Sequence, residues 1–215
     1  KNRLLTTIAY RINGKTTYAM EGSIFIAGAG VQWLRDKLNF FKKASETEDI
    51  VKSLKDNKGV YLVPAFTGLG APYWDANARG VLSGLTRDTG PKEIIRATIE
   101  SVAYQTYDLF EAMKHDGLRP KLVRVDGGMV MNNWFSQFLS DIVDIRVLRP
   151  KVQETTALGA AFIAGLQIGV YKSLKDISKN WHLDKDFNPK IKSKERNKLI
   201  KGWTAAIKKT LTNTI

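Results

Sequence analysis

The chain has 215 residues, of which 43% are hydrophobic and 26% are charged; this is the composition of a folded globular protein rather than of a disordered one. It contains no cysteine, which excludes a disulfide scaffold, a thiolate metal site and a cysteine nucleophile and fits a reducing compartment such as the cytoplasm. Its two histidines, His115 and His182, stand far apart, so a histidine-rich metal site is not expected.

The formal net charge of +13 comes from 34 Lys and Arg against 21 Asp and Glu, and much of the excess follows Tyr171. The lysines there are spread singly, without a basic motif interleaved with aromatic residues, so we expect a solvated surface and no nucleic-acid partner. The longest apolar stretch, residues 157–170, is interrupted by Gln167. It is shorter than the roughly 20 residues that a bilayer requires, so no membrane span is expected.

The N-terminal part is predicted to form a β-hairpin, with strands over residues 4–10 and 15–20 joined by an Asn13-Gly14 turn. Gly22 opens a predicted helix with apolar residues at helical spacing: Ile24, Ala27, Val31, Leu34 and Leu38. There follow a polar helix over 47–54, a strand over 59–63, a long loop over 64–79 and a strand over 80–84.

The clearest helix of the sequence begins at Pro91. Gly90 precedes it, proline suits the first helical position, and Glu93 lies in the first turn, where the helix dipole favours a carboxylate. Gly117 ends the helix. Its predicted buried stripe consists of Ile95, Ile99, Val102, Thr106, Leu109 and Met113.

The C-terminal half alternates strands and helices. Strands are predicted over 122–126 and 145–149, and helices over 133–143, 155–169 and, after a further short helix, 194–211, with Leu199, Trp203, Ile207 and Leu211 on one face. The small residues of the 155–169 helix predict close packing against a sheet. Early antiparallel and later parallel strands predict an α/β domain, a mixed sheet flanked by helices.

Two apparent phosphate-binding motifs do not hold. Gly14-Lys15-Thr16 ends like a phosphate-binding loop, but Ala9 stands where the motif needs glycine, and the segment forms a hairpin turn rather than a strand-to-helix loop. Gly68 and Gly70 begin like a dinucleotide fingerprint, but Tyr73 replaces its last glycine.

Better candidates lie at two glycine-containing segments. Asp126-Gly127-Gly128 joins a strand to a helix that starts near Asn132 and Asn133, where backbone N–H groups favour an anion. Gly28 and Gly30 lie inside a predicted helix, at a cost of about 1 kcal/mol each relative to alanine, with Gln32 on the same side as Gly28. Taken alone, each segment is also explained by a tight turn or by close helix packing.

The long loop over 64–79 is rich in glycine, proline and aromatic residues, and loops of this length are usually functional. Asp75 and Arg79 are expected to form an ion pair that locks it. Nothing around Asp75 points to a general base, because no partner acid is visible.

Four stretches, residues 67–87, 94–106, 125–133 and 154–161, resemble the C-terminal half of the FGGY carbohydrate kinases. Residues 80–100 fit the second signature pattern of that family. The Gly-Ala-Pro-Tyr-Trp sequence at 70–74 is more typical of the branch that phosphorylates glycerol than of the xylulose, ribulose or gluconate branches. The resemblance implies the actin/hexokinase/Hsp70-like ATPase fold, which is of the ribonuclease H-like type.

The resemblance also implies one adenine-nucleotide site, for ATP or ADP with Mg²⁺. In that site Gly28 and Gln32 on the helix after the hairpin face Gly128 and Asn132 in the turn after Asp126, which is a weaker candidate at the rim.

The same resemblance places the catalytic aspartate, the groups that hold glycerol and the first phosphate loop upstream of this chain, which lacks an initiator Met. Residues 1–215 are then the C-terminal nucleotide-binding domain of a longer kinase, and the absent N-terminal domain binds glycerol. We expect no catalytic and no metal-binding residue in this chain, no activity from it alone, and a homo-oligomeric complete enzyme.

Three alternatives stay open at this point. They are a kinase of another sugar in the same family, a stand-alone nucleotide-binding or interaction module, and a nucleic-acid-binding protein suggested by the net charge.

Overall fold

The strands form three small sheets in the computed structural model, which describes residues 3–212. The first is the antiparallel hairpin of β1 (Leu5–Ile12) and β2 (Lys15–Glu21), and the second pairs β3 (Tyr61–Val63) with β4 (Val81–Ser83), also antiparallel. The third is mixed: β6 (Arg146–Pro150) lies between β5 (Leu122–Arg124), which runs parallel to it, and β7 (Leu183–Phe187), which runs antiparallel. This confirms the mixed α/β class, with antiparallel pairs early and a parallel pair later.

Seven helices connect and flank these strands within residues 3–212. They are α1 (Gly28–Asp36), α2 (Glu46–Lys52), α3 (Pro91–His115), α4 (Asn133–Val143), α5 (Thr155–Gln167), α6 (Leu174–Ser178) and α7 (Ser193–Thr210). A 3₁₀ turn, Gly128–Met131, directly precedes α4. None of the helices in the described range is long and apolar enough to cross a bilayer.

Helix α3 is the centre of the molecule, since α1, α2, α4 and β3 all pack against it. It begins as its sequence predicts, at Pro91, and the Gly90 N–H donates to the Glu93 carboxylate at 3.0 Å. Most of the predicted stripe is buried, including Ile95, Ile99, Val102 and Leu109.

Helix α7 packs against the same core through Trp203, which is fully buried. The Trp203 ring stacks on Tyr104 of α3 with 5.3 Å between centroids, and the Phe138 ring meets Tyr104 edge-on at 5.6 Å. Leu199 and Leu211 complete the predicted apolar face. Aromatic rings in offset-stacked or edge-to-face geometry stabilise a fold by more than the burial of their apolar surface alone.

The first helix starts later than its pattern predicts, at Gly28 and not at Gly22. Residues 22–27 are irregular because they run against the long loop: a Cβ on Gly70 would lie 2.3 Å from the Ser23 carbonyl oxygen. Apolar spacing predicts a helix here, but the close backbone contact with the loop determines the local structure.

Helix α5 departs from its predicted packing. Most of it is exposed, Gly165 is its one buried residue, and Ile163 faces solvent. A Cβ on Gly165 would lie 2.8 Å from the Tyr171 ring, so the chain just beyond the helix, and not a sheet, takes up the space that this small residue leaves.

Strand β7 has no counterpart in the sequence prediction. Its sequence, Leu-Asp-Lys-Asp-Phe, is rich in residues depleted from strands. Ion pairs with β6 hold it in place, since Arg146 pairs with Asp186 and Arg149 Nε lies 2.7 Å from an Asp184 oxygen.

The long loop is locked through Asp75, but not by Arg79 as predicted. The Asp75 carboxylate accepts hydrogen bonds from the Ala78 N–H at 3.0 Å and from the Thr212 N–H at 2.7 Å. Arg79 donates instead to the carbonyls of Ala76 and Ala78, at 3.0 and 2.8 Å. Residues 75–79 therefore bond to one another locally, and Asp75 gains a distant partner in Thr212, two residues beyond the end of α7.

Candidate functional site

A cleft of about 460 Å³ opens beside the N-terminal ends of α1 and α4. It contains all four residues selected from the sequence, Gly28, Gln32, Gly128 and Asn132. The remaining lining residues are Val31, Arg35, Ala44, Ser45, Thr47, Glu48, Ile99, Met129 and Met131. Two segments that lie about a hundred residues apart in the sequence therefore face each other across one cleft.

The two glycines of α1 have different environments. A Cβ on Gly30 would lie 3.0 Å from the Thr98 methyl of α3, so Gly30 permits close helix packing. A Cβ on Gly28 would meet nothing within 4 Å, although Gly28 lines the cleft. Close helix packing therefore explains the glycine at position 30 but not the one at position 28. Because the space beside Gly28 is open, its backbone is accessible to a ligand.

The turn after β5 brings backbone to the opposite wall. Gly127 has φ of +84°, a conformation that glycine adopts without strain. Gly128 starts the 3₁₀ turn, and a Cβ there would also meet nothing within 4 Å. This wall lies beyond the carboxyl end of β5, the position where open α/β sheets bind ligands.

Asn132 caps α4 and lines the cleft at the same time. Its Oδ1 accepts from the Phe135 N–H at 2.9 Å, which satisfies one of the unpaired donors of the helix start. Its Nδ2 donates to Thr47 Oγ1 at 3.4 Å and has a second hydrogen available. The capping and ligand-binding interpretations of this asparagine are therefore compatible.

The floor of the cleft is apolar and the rim is polar. Val31 of α1 and Ile99 of α3, which are 9% and 1% exposed, form the floor, whereas the more exposed side chains of Arg35 and Glu48 stand at the rim. An apolar floor with few polar groups around it suits a nucleobase.

The rim charges are already paired. Arg35 Nε lies 2.6 Å from an Asp36 oxygen. Burial alone would raise the pKa of the Glu48 carboxyl, but hydrogen bonds from Lys52 and Asn133 outweigh it and hold the pKa below its usual range. Glu48 is therefore an ionised, fully bonded group at neutral pH.

Neither aspartate considered from the sequence stands in the cleft. Hydrogen bonds from Thr212, Ala78 and Asn77 lower the pKa of Asp75, which leaves it a weak base. Asp126 is not among the lining residues, and the Thr155 hydroxyl donates to it. In residues 3–212 no group of three or more acidic or histidine side chains is placed to hold a metal ion.

Sequence reasoning missed the wall formed by residues 44–48. Thr47 and Glu48 belong to α2, which was predicted only as a polar helix, and no local pattern marks them as site residues. Ile99 was predicted as buried core, and its second role on the cleft floor depends on the packing of α1 and α4 around α3.

Comparison with known proteins identifies the family to which this fold belongs. The profile of the FGGY family of carbohydrate kinases, C-terminal domain, matches residues 4–168. The chain belongs to the FGGY family of carbohydrate kinases, in which it corresponds to the C-terminal domain.

Among curated proteins, Glycerol kinase 1 of Pseudomonas aeruginosa is 56% identical over 209 residues, which are 97% of this chain and 42% of that protein. Glycerol kinase of Alteromonas mediterranea is 57% identical over 207 residues, 96% of this chain and 42% of that protein. The chain thus spans about two fifths of the length of these relatives.

Solved structures agree. Plasmodium falciparum glycerol kinase with ADP superposes with a TM-score of 0.88 at 38% identity, covering 98% of this chain and 42% of that one. Xylulose kinase from Rhodospirillum rubrum gives 0.81 at 20% identity, over 98% and 42% of the two chains, which shows the fold alone. The chain has the actin/hexokinase-like ATPase fold of these kinases, as the sequence resemblance predicts.

Proposed function

We propose that residues 1–215 are the nucleotide-binding half of an ATP-dependent glycerol kinase. The complete enzyme transfers the γ-phosphoryl group of MgATP to the terminal hydroxyl of glycerol and yields sn-glycerol 3-phosphate and ADP. The observation that carries this proposal is the single cleft that unites Gly28, Gln32, Gly128 and Asn132. It occurs in a fold shared with a glycerol kinase solved with ADP.

The residues of the cleft fit an adenine nucleotide. The base lies against the apolar floor around Ile99, and the open backbone at Gly28 and Gly128 allows close approach. Gln32 contacts the nucleoside from α1, and the available Nδ2 hydrogen of Asn132 bonds the base or the ribose.

Chemistry in this proposal depends on both halves of the enzyme. Bound MgATP supplies the phosphoryl group, and Mg²⁺ is held mainly through the nucleotide and the other half. A kinase works chiefly by positioning and charge neutralisation between closed domains. The chain therefore contributes nucleotide binding and no catalytic base, and glycerol is bound by the other half.

The setting that follows is a cytoplasmic enzyme, active as a homo-oligomer, with no nucleic-acid partner. The absence of cysteine fits a reducing compartment. The lysines that follow Tyr171, which supply much of the excess positive charge, are dispersed and exposed, and none of them lines the cleft.

The experiment is glycerol-dependent ADP release, measured with the chain alone and then with the complementary upstream half. We expect no turnover from the chain alone, ADP binding by calorimetry, and turnover on mixing. Turnover by the chain alone would contradict the placement of the base. Turnover on mixing with xylulose or gluconate, but not with glycerol, would instead support another sugar kinase of the family.

A further inference from the structure

Asn133, the first residue of α4, does not line the cleft, yet it lies between a carboxylate of α2 and two cations of the third sheet. Its N–H donates to Glu48 Oε2 at 3.0 Å, and its Nδ2 donates to Glu48 Oε1 at 3.3 Å. Its Oδ1 accepts from Arg149 Nη2 at 3.2 Å and from Lys185 Nζ at 3.1 Å. The amide dipole therefore points its donor at a carboxylate and its acceptor at two cations.

On the cation side, the contact leads to the glycine wall of the cleft. Arg149 is only 6% exposed, and its Nη1 donates to the carbonyls of Val130 and Met131 at 2.8 and 3.3 Å. These carbonyls end the 3₁₀ turn that begins at Gly128. One guanidinium thus fixes both the turn and the Asn133 side chain.

On the carboxylate side, the contact leads to the opposite wall. Glu48 and Thr47 of α2 both line the cleft, and Thr47 Oγ1 accepts from Asn132 Nδ2 at 3.4 Å. Lys52 holds the same Glu48 oxygen at 2.5 Å from the next turn of α2. The two walls are therefore joined by polar contacts through Asn132 and Asn133, and those of Asn133 are the ones to charged groups.

Bonds to charged groups are shorter and stronger than bonds between neutral groups, and an amide between opposite charges has one favourable orientation. The hydrogen bonds that join Asn133 to Glu48 and to Arg149, called the Asn133 tie below, therefore restrict the distance between α2 and the 3₁₀ turn. Small displacements of binding groups are costly for a ligand held from two sides.

We propose that Asn133 is a positioning residue that sets the width of the nucleotide cleft, through Glu48 on one side and Arg149 on the other. This inference rests on the proposed nucleotide-binding function. Asn133 acts through the two walls and does not touch the nucleotide.

The first test is Asn133→Asp, which keeps the size of the side chain and an acceptor oxygen facing Arg149. It also places a second carboxylate against Glu48 where a donor stood. We expect the Kd for ADP, measured by calorimetry well below the melting temperature, to rise about tenfold. Asn197→Asp is the matched control on the exposed surface of α7 and should leave the Kd unchanged.

The second test adds Glu48→Gln to Asn133→Asp. A glutamine amide at position 48 accepts from the N–H of residue 133 and donates to the new carboxylate, which restores the contact with donor and acceptor exchanged. Lys52, whose side chain is 52% exposed, is then hydrated instead of paired with residue 48. We expect the double variant to recover the ADP affinity to within about threefold of the wild type. Failure to recover would mean that Glu48 acts on the nucleotide directly, and would overturn the proposal.

The outcomes distinguish the proposed nucleotide-binding function from the positioning role of Asn133. A wild-type chain that does not bind ADP overturns the proposed function itself. A wild type that binds ADP, with a folded Asn133→Asp variant of equal affinity, overturns the positioning role alone. If Asn133→Asp does not fold, Glu48→Gln alone should weaken ADP binding about threefold by loosening the Asn133 tie, and unchanged affinity overturns the proposal.

Discussion

Gly28 and Gly30 stand two residues apart on α1 and lack a side chain for different reasons. Gly30 allows α1 to pack closely on α3, whereas Gly28 leaves open space in the cleft. The sequence predicts that both glycines have a reason to be in a helix, since each lowers helix propensity. It could not assign the reasons, because Thr98 approaches Gly30 from 68 residues downstream and the space beside Gly28 is defined by α2 and the 3₁₀ turn before α4.

Gly28→Leu should therefore block nucleotide binding without unfolding the chain. The new side chain enters open space on the cleft side, so we expect the ADP Kd to rise at least tenfold, a loss of about 1.4 kcal/mol or more, with an unchanged or higher melting temperature. Gly159→Leu is the control, since Gly159 is also helical with open space around its Cβ. Unaltered ADP affinity in Gly28→Leu would exclude this glycine from the site.

The buried carboxyl group of Asp108 makes the stability of the fold depend on pH. Burial raises the pKa of its carboxyl to about 6, against the effect of hydrogen bonds from the Trp203 indole at 2.7 Å and the Tyr73 hydroxyl at 2.9 Å. A folded-state pKa above the unfolded value of 3.8 stabilises the fold below about pH 4, and this contribution is lost as the pH rises through 6.

We expect the free energy of unfolding of the wild type to fall by about 2 kcal/mol, relative to Asp108→Asn, between pH 4 and pH 7. Urea titrations at several pH values measure this difference. The exposed carboxylate of Asp49 offers the comparison Asp49→Asn, which should follow the wild type across the same range. Parallel pH curves for wild type and Asp108→Asn would show that the carboxyl titrates normally.

At the scale of elements, α3 holds its neighbours through a buried ion pair as well as through apolar contacts. Arg96 Nε lies 2.7 Å from Glu100 Oε1, and its Nη1 donates to the Leu54 carbonyl at the same distance. Its guanidinium stands 4.9 Å from the centre of the Trp134 ring of α4. Burial raises the pKa of Glu100, and the hydrogen bonds from Arg96, Asn57 and Tyr104 oppose that rise.

Arg96→Met should destabilise the fold by about 3 kcal/mol or more, because Glu100 is fully buried and would lose its cation. The double variant with Glu100→Met should recover part of this loss, since an apolar pair of similar volume needs no counter-ion, although Asn57 and Tyr104 then lose the acceptor that they share. Chemical denaturation of the four proteins of the cycle gives the coupling energy. A double variant as unstable as the sum of the single ones would refute the pairing.

Prediction from sequence succeeds for elements whose signals are local. The first residue of α3 and both ends of α4 follow from Pro91, from the Asn132 cap and from apolar spacing. It fails where distant segments decide. Strand β7 depends on the ion pairs with β6, and residues 22–27 lose their helix to contact with the loop around Gly70.

The same division applies to the candidate site. Gly127 and Gly128 were found from the sequence as a strand-to-helix turn, and Gly28 as an unfavourable residue inside a predicted helix, because both signals are local. The α2 wall with Glu48 was not found, since its role depends on contacts with Asn133 across 85 residues. The link between the two glycine segments came from resemblance to the family rather than from their own spacing.

At the scale of the whole molecule, apolar side chains remain on two surfaces of the described chain. The hairpin exposes Ile8 and Tyr18, and the chain around the end of α5 exposes Ile168 and Val170, with Ile168 77% accessible. Contiguous exposed apolar surface favours association, whereas a net charge of +13 opposes it by repulsion between molecules.

We therefore expect the chain to be mostly monomeric at low ionic strength and to self-associate as salt screens the charge, with a Debye length of about 10 Å at 0.1 M. Sedimentation velocity at several salt concentrations measures this. Ile168→Lys should reduce the association, whereas Lys172→Gln, a nearby exposed position, should not. A sedimentation coefficient independent of salt would contradict the balance described here.

The hydrogen bond between Asp75 and Thr212 also bears on how the chain folds. It joins residues 137 positions apart, so it closes a ring that contains most of the molecule. Closing so long a loop costs chain entropy before the hydrogen bond contributes any stability. We therefore expect contacts between residues this far apart in the sequence to form late in folding. We therefore expect this hydrogen bond to form in the last step of folding and to break in the first step of unfolding, so that its strength governs how long the native loop persists rather than how fast it is reached.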